Sequence, residues 1–94
     1  MITVLVPSVL RSDADGAARL EMSVSGSLAA ILAEMDRQWP RLGRRIRDEQ
    51  GQLRKFVNIY VDGEDVRRVE GLATPVPDGA EVQILPSIAG GAVG

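Results

Sequence analysis

The chain has 94 residues, with eleven basic and thirteen acidic side chains, a net charge of −2, and neither cysteine nor histidine. A chain of this length is one domain that buries roughly 60–65% of its unfolded surface, so it can fold without metal or disulfide staples. The missing residue types exclude thiol nucleophiles, Ser-His and Cys-His catalytic pairs, and zinc sites made of thiolates or imidazoles. The small net charge gives no general attraction to nucleic acid or to anionic membranes.

The N-terminal part of the chain predicts a β-hairpin. Residues 2–6 are an apolar run rich in β-branched side chains, which indicates a strand buried on both faces. Residues 13–16 then supply turn chemistry, with a glycine that is free to adopt positive φ. From Arg19 the side chains alternate between polar and apolar, which predicts a half-buried second strand. Its apolar face carries Leu20, Met22 and Val24.

The N-terminus also bears on location. No basic leader precedes the first apolar run, and the run is too short for a signal peptide or a membrane span. We therefore expect a soluble cytoplasmic protein that does not engage a membrane.

The middle of the chain predicts one amphipathic helix. Ser25 and Ser27 are candidate N-caps, and Pro40 is expected to end the helix. The apolar residues of this segment fall at the spacing of one helical face. They are Leu28, Ile31, Leu32, Met35 and Trp39. We interpret the tryptophan as a packing residue, and we predict a short helical turn and a loop for residues 41–52.

The C-terminal half predicts three further strands. Residues 55–61 read KFVNIYV, which indicates a second fully apolar strand. The pair Asp62-Gly63 is a strong two-residue turn signal into a short returning strand at residues 64–66. Residues 71–79 are predicted to form a loop with at most one tight helical turn. The last strand contains Val82, Ile84 and Leu85 and ends at Pro86.

The order of elements predicts an α+β fold. If the last strand pairs with the first, the two run parallel in the centre of a mixed sheet of four to five strands, and one main helix crosses that sheet. This is the β-grasp arrangement of ubiquitin-like proteins. We assign the β-grasp domain to residues 1–86 and a flexible C-terminal tail to residues 87–94, which contain the diglycine Gly90-Gly91.

The basic residues are unevenly distributed. Six of them lie in one segment, and no basic residue follows Arg68. We interpret the segment as a solvated surface helix with its flanks, and a docking patch for an acidic partner is the alternative. The three aromatic residues of the chain are interpreted as structural, which argues against a nucleic-acid site. The basic segment contains Arg41, Arg44, Arg45, Arg47, Arg54 and Lys55, and the aromatic residues are Trp39, Phe56 and Tyr60.

An enzyme has no support in the sequence. The carboxylates of residues 62–65 lie in an exposed turn, where solvation is the default. Lys55, which is the only lysine, is interpreted as a solvated charge or a member of a weak ion pair rather than as a nucleophile or a conjugation site.

Two stretches, FVNIYVDGEDVR and GLATPVPDGAEVQILPSIAGG, carry a family resemblance. The chain resembles the ubiquitin-like sulfur carriers, a family that includes the small subunit of molybdopterin synthase and the thiamine sulfur carrier, and it is most similar to the carriers of cysteine synthesis. The resemblance covers nearly the whole chain. A lone diglycine would be weak support, but this diglycine follows a β-grasp order of strands.

The resemblance implies a carrier that binds no cofactor and that acts as a substrate of other enzymes. An activating enzyme related to ubiquitin-activating enzymes would use MgATP to adenylate the carboxylate of Gly91 and convert it to a thiocarboxylate, the covalent site of sulfur. Ile88, Ala89 and Gly90 would thread the enzyme's narrow channel, because glycine has no Cβ. Residues 87–91 span at most roughly 16–18 Å when fully extended. Leu72, Leu85 and Ile88 are candidate docking residues around the tail exit.

The chain departs from the family pattern after the second glycine. Ala92-Val93-Gly94 follows, and the carbonyl of an internal peptide bond has no carboxylate to adenylate. The resemblance therefore implies a precursor that is cut between Gly91 and Ala92 by a JAMM-type metalloprotease. The alternative is that these residues are an artificial addition or mark a natural loss of function.

Three functions from different classes stay open at this point. The first is a sulfur carrier that serves a cysteine synthase, with natural-product sulfur transfer or molybdopterin formation as variants. The second is a protein modifier that forms isopeptide bonds through Gly91. The third is an interaction domain with an inert tail.

Overall fold

The structure is a computed structural model, and it describes residues 1–86. The predicted flexible tail, residues 87–94, lies outside the described residues. A five-stranded mixed sheet in the order β2-β1-β7-β4-β5 is accompanied by a two-stranded sheet of β3 and β6. The elements are β1 (Ile2–Leu5), β2 (Arg19–Met22), β3 (Gly26–Ser27), α1 (Leu28–Gln38), α2 (Pro40–Ile46), β4 (Val57–Val61), β5 (Glu64–Asp65), β6 (Pro75–Val76) and β7 (Glu81–Pro86), with 3-10 segments at Ser8–Ala14, Val66–Arg68 and Gly71–Ala73.

The last strand lies in the centre of the sheet, as the sequence predicts. β7 pairs in parallel with β1, with Val4 opposite Val82, and in antiparallel with β4, with Ile59 opposite Ile84. β1 and β2 form the predicted N-terminal hairpin, although its connection contains a 3-10 segment as well as the turn. The antiparallel pairing with β4 extends to Pro86 and places the C-terminal end of β7 at a fixed position of the sheet.

The core lies between the sheet and the two helices. Along β7, the side chains of Val82 and Ile84 are fully or almost fully buried, whereas the other four residues of the strand are half-buried or exposed. The helices contribute Leu28, Ile31, Leu32, Met35, Leu42 and Ile46, and the sheet contributes Ile2, Val4, Leu20, Met22, Val57, Ile59, Val61, Val82 and Ile84.

The prediction that the first strand and the KFVNIYV strand are buried on both faces is wrong. In β1 and β4 the buried residues alternate with half-buried ones, such as Leu5 and Asn58. The physical reason is that both helices contribute to a single core, so no element of residues 1–86 covers the other face of the sheet. β4 also begins at Val57, two residues later than the apolar run suggests.

The start of α1 confirms one of the two candidate caps. The hydroxyl of Ser27 accepts a hydrogen bond from the backbone N–H of Ala30 at 3.2 Å, which satisfies one unpaired donor of the first turn. Trp39 ends the helix and is half-buried against the core, and its indole N–H donates to the carboxylate of Asp15 at 3.2 Å. The packing role predicted for this tryptophan is confirmed.

A second helix follows where a turn and a loop were predicted. Pro40 ends α1 and also opens α2, because a proline at the first helical position lacks only an N–H that would have no partner there. The helices pack so closely that a Cβ added to Gly43 would lie 1.8 Å from Oδ1 of Asp36 and 3.1 Å from its Cα. Only glycine fits this crossing without displacement of α1.

The turn between β4 and β5 has the predicted geometry. Asp62 and Gly63 have φ angles of 48° and 89°, the pair of positive values that a two-residue hairpin of type I′ requires. The pairing of β3 with β6 was not predicted, because two residues per strand are too few to show periodicity. This small sheet ties the start of α1 to the segment that leads into β7.

Candidate functional site

The candidate site is the surface around Pro86, the last described residue, and we call this end of β7 the exit. Pro86 lies opposite Val57, at the start of β4. On the other side of β7, pairing with β1 ends at Leu5 and Gln83. The last three residues of β7 therefore have a neighbouring strand on one side only. The described chain therefore ends at a strand end that is paired with β4 and open toward β1.

Leu85, a predicted docking residue, lies on the open face of the sheet. Its side chain is 38% exposed. It borders a shallow cleft of about 440 Å³, which the open side of β7 forms with the end of β1 and the segment that follows. Leu5, Pro7, Arg11 and Arg19 also line this cleft.

Leu72, the second predicted docking residue, lies elsewhere. It belongs to the 3-10 segment Gly71–Ala73, is half-buried, and packs against the core beside α1. The structure therefore does not bring Leu72 and Leu85 into one patch. The third, Ile88, lies outside the described residues, as do the other predicted tail residues Ala89, Gly90, Gly91 and Ala92.

A second surface beside the exit was missed by the sequence reasoning. The ring of Phe56 is 56% exposed, so the prediction that all three aromatic residues are structural is wrong for this one. The reason is that Phe56 lies in the turn before β4 rather than in the strand. Its position directly after Arg54 and Lys55 is the signal that could have indicated exposure.

Phe56 borders a groove of about 740 Å³ that reaches the exit at Pro86, and we call this the exit groove. It is lined by Leu10, Arg45, Asp48, Leu53, Arg54, Lys55, Phe56, Val57, Arg67 and Pro86. The groove combines an aromatic ring and aliphatic side chains with four cations and one carboxylate. It is larger than the cleft beside Leu85, which has a volume of about 440 Å³.

The predicted basic segment divides into two groups. Arg45, which lies on α2 and also lines the exit groove, pairs with Asp13 at 3.1 Å, and Arg47, which follows α2, pairs with Asp36 at 2.6 Å. In the exit groove, Nε of Arg54 donates to a backbone carbonyl, that of Arg44, at 2.8 Å. The interpretation of the segment as a solvated helix with flanks therefore describes the first group better than the second.

Arg67 makes more side-chain hydrogen bonds than the other cations of the exit groove. Its two terminal nitrogens donate to Oδ1 of Asn58 and to the carbonyl of Arg54, each at 2.9 Å. Among residues 1–86, no carboxylate forms an ion pair with Arg54, Lys55 or Arg67. Arg54 and Arg67 are held by neutral acceptors, and both keep N–H donors for a further anion.

The clear pKa shifts belong to a pair outside the exit groove. On α1, hydrogen bonds from the guanidinium of Arg37 and the amide of Gln38 lower the pKa of Glu34, and the same carboxylate raises the pKa of Arg37. Within residues 1–86 no three acidic side chains gather as metal ligands would. The exit groove therefore contains neither of the two groups with shifted pKa values.

Comparisons with known proteins agree with the β-grasp fold described above. A model of the ThiS family matches residues 4–91. The chain is 41% identical over 93 residues to the sulfur carrier protein CysO of Mycobacterium tuberculosis, covering 96% of this chain and 98% of that one. It superposes with a TM-score of 0.86 on a chain in the crystal structure of the Amycolatopsis orientalis BexX/CysO complex, at 31% identity and with 95% and 98% coverage.

A further relative is the small archaeal modifier protein 3 of Haloferax volcanii, 31% identical over 61 residues, which are 65% of each chain. The structural likeness confirms the predicted ubiquitin-like β-grasp fold. In the part of the chain that the structure describes, no helix has the length and apolar character needed to cross a membrane.

Proposed function

The chain belongs to the ThiS family, and from this premise we propose that it is a sulfur carrier protein whose working end is Gly91. Its relatives along nearly the full length are named sulfur carrier proteins rather than enzymes. One observation carries the assignment of the working end. The family match stops at Gly91, the second glycine, and leaves Ala92-Val93-Gly94 outside.

The proposed chemistry takes place at the carboxylate of Gly91. A carboxylate oxygen attacks the α-phosphate of MgATP in the activating enzyme, which forms an acyl adenylate and releases pyrophosphate. A sulfur nucleophile then displaces AMP from the carbonyl carbon, and the carrier ends as a thiocarboxylate. The carrier binds no cofactor itself, and MgATP belongs to the activating enzyme.

The carrier contributes presentation and reach. Residues 87–91 extend at most roughly 16–18 Å from Pro86, which is enough to bring Gly91 into a partner's active site while the β-grasp body stays outside. Ile88, Ala89 and Gly90 thread the channel, where the absence of a Cβ at glycine permits a close approach. The single-sided end of β7 gives this segment a fixed point of departure.

The chain as it stands is a precursor in this account. Hydrolysis of the peptide bond between Gly91 and Ala92 by a JAMM-type metalloprotease releases the last three residues and creates the carboxylate. Trimming thus controls entry into the adenylation step. The uncut carbonyl of Gly91 is part of an amide and cannot attack MgATP as a carboxylate does.

The partners follow from the same chemistry. An adenylating enzyme loads the carrier in the cytoplasm, where MgATP is present, and a sulfur-accepting synthase unloads it. The likeness to a chain of the BexX/CysO complex supports docking of the whole β-grasp body on a partner. The likeness to CysO favours a cysteine synthase as acceptor, with natural-product synthases and molybdopterin formation as alternatives.

One reaction tests the proposal. The full-length chain and a chain ending at Gly91 are incubated separately with the host's adenylating enzyme, MgATP and a sulfur source, and intact mass is measured. We expect the mass shift of oxygen-to-sulfur exchange only in the shorter chain, and transfer of that sulfur to an activated serine derivative by the acceptor enzyme. Exchange at Gly94 of the full-length chain would refute the role of trimming.

A protein modifier is the second candidate, because the chain resembles the small archaeal modifier protein 3. In the same experiment a modifier would become attached to lysines of other proteins through Gly91. Isopeptide adducts in place of a thiocarboxylate would favour this function. A chain that forms neither product with any partner from its host would be an interaction domain with an inert tail.

A further inference from the structure

The exit groove contains an apolar side chain that the fold does not use. Phe56 is more exposed than any other aromatic residue of the chain, and it contributes nothing to the buried core. Single exposed apolar side chains are common on proteins. Phe56 differs because it borders a groove together with the half-buried Leu53 and with Pro86. The groove therefore offers a contiguous apolar floor.

The cations around Phe56 are positioned before any partner arrives. Arg67 donates to Asn58 and to the carbonyl of Arg54, while Arg54 donates to the carbonyl of Arg44. A guanidinium has five N–H donors, so both arginines keep donors for an incoming carboxylate. Because these side chains are already ordered, binding an anion costs little additional conformational entropy.

The position of the groove relative to the tail selects the partner. Pro86 lines the groove and is the last described residue before the tail. An enzyme that takes Gly91 into its active site must hold that site within roughly 16–18 Å of Pro86. The surface around its channel mouth therefore comes to lie against the exit groove.

Resting on the proposed function, we infer that the exit groove docks an acidic segment of the adenylating enzyme in which carboxylates flank an apolar side chain. The apolar side chain packs on Phe56, and the carboxylates pair with Lys55, Arg54 and Arg67. The single acidic side chain of the groove, Asp48, already accepts from the backbone N–H groups of Gln50 and Gln52 at 2.9 and 3.0 Å.

A nucleic-acid strand fits the groove less well. The chain carries a net charge of −2, and the groove offers one exposed aromatic ring, whereas single-strand binding depends on successive rings that stack successive bases. The mixture of one ring, aliphatic side chains and a few cations matches an acidic peptide segment.

Equilibrium titration tests the groove separately from the chemistry. The chain ending at Gly91 retains every described residue, and it is titrated with its host's adenylating enzyme in the absence of ATP. We expect Lys55→Glu and Phe56→Ala each to raise Kd at least about fivefold, as losses at the centre of an interface do. Neither side chain makes a hydrogen bond that holds the described fold, so both variants should melt like the wild type.

Two matched controls lie outside the groove. Arg41→Glu reverses an exposed charge on α2, and Val9→Ala truncates an exposed apolar side chain. Both should leave Kd within about twofold of the wild type. The Kd of the wild type should also rise with salt more steeply than that of Lys55→Glu, because salt screens the charge pairs.

Pyrophosphate release on addition of MgATP distinguishes the two proposals. Release by the wild type with equal Kd values for groove and control variants would overturn the docking site and leave the sulfur-carrier function intact. If Kd depends on the groove but no pyrophosphate is released, the sulfur-carrier function is contradicted, whereas the docking site is supported. Absence of wild-type binding, or tighter binding of single-stranded DNA that Lys55→Glu abolishes, would overturn the assignment of the groove to an acidic enzyme segment.

Discussion

Ile84 and Leu85 are neighbours on β7, yet they belong to two different regions of the molecule. Ile84 points to the helix-covered face and is 1% exposed, whereas Leu85 points to the open face beside the exit and is 38% exposed. One strand thus completes the core and presents a surface next to the tail. The folded core depends on the buried face of β7, and a partner can contact only the open face.

The charged residues show a similar difference between the body, which is the region around the two helices, and the exit. Around the two helices, Arg37, Arg45 and Arg47 each pair with a carboxylate. Beside the exit, Arg54 and Arg67 are held by neutral oxygen atoms. The cations that pair with carboxylates have less to offer an incoming anion than Arg54 and Arg67, which keep N–H donors. Variants of the body should therefore change stability, and variants of the exit should change partner binding.

The largest effect is expected from truncation on the buried face of β7. Ile84→Ala removes a fully packed side chain between the sheet and the helices, and it should lower the free energy of unfolding by about 2–5 kcal/mol. Leu85→Ala is its matched control one residue away, with an expected loss of under about 1 kcal/mol. Urea denaturation followed by circular dichroism measures both. Equal losses would show that the two faces of β7 are not different in packing.

The crossing of α1 and α2 should give the next largest effect. Gly43→Ala gains up to about 1 kcal/mol of helix propensity, but its Cβ overlaps Asp36 and tightens against the backbone of α1. Overpacking of this kind costs about 1–3 kcal/mol, and displacing Asp36 also weakens its pair with Arg47. We expect net destabilisation by about 1–2 kcal/mol in thermal melts. Stabilisation by the alanine would mean that the helices separate easily.

Some of these features follow from local sequence patterns and others do not. The last strand and the turn at Asp62-Gly63 follow from local rules of strand composition and turn chemistry, and both were predicted. The need for glycine at position 43 arises from a contact between two helices, which no local pattern encodes. The same limit applies to the pairing of β3 with β6, which depends on residues about fifty positions apart.

The exit groove was missed for a related reason. Phe56 continues an apolar run in the sequence, but the chain turns before β4, so this residue falls outside the strand and faces solvent. Hydrophobic periodicity cannot locate a strand boundary to within two residues. The grouping of Arg67 with Arg54 likewise results from tertiary structure, since they come from opposite ends of the β4–β5 hairpin.

The cap of α1 should give a smaller effect that is confined to the body. Ser27→Ala removes the acceptor for the N–H of Ala30 and should lower the free energy of unfolding by about 1 kcal/mol. Ser25→Ala, at the candidate position that does not begin the helix, is the control. The Kd for the adenylating enzyme should not change in either variant. A change in Kd with Ser27→Ala would indicate that the start of α1 takes part in docking.

The smallest effect concerns the exposed pair on α1. Arg37 and Gln38 lower the pKa of Glu34 in the folded state, so the pair stabilises the fold above the unfolded pKa of this carboxyl and ceases to do so as pH falls through the folded pKa. Because Glu34 is solvated, Glu34→Gln should melt at nearly the same temperature as the wild type at pH 7. A clear loss of melting temperature at pH 7 that disappears at acidic pH would show that the pair contributes more to stability than a surface pair is expected to.

The most direct measurement is the intact mass of the protein isolated from its own host. We expect a chain that ends at Gly91, with a fraction heavier by the exchange of one oxygen atom for sulfur, and reaction of that fraction with an alkylating agent should mark the thiocarboxylate. A population that consists only of full-length chain, or that carries sulfur at Gly94, would contradict the claim that Gly91 is the working end.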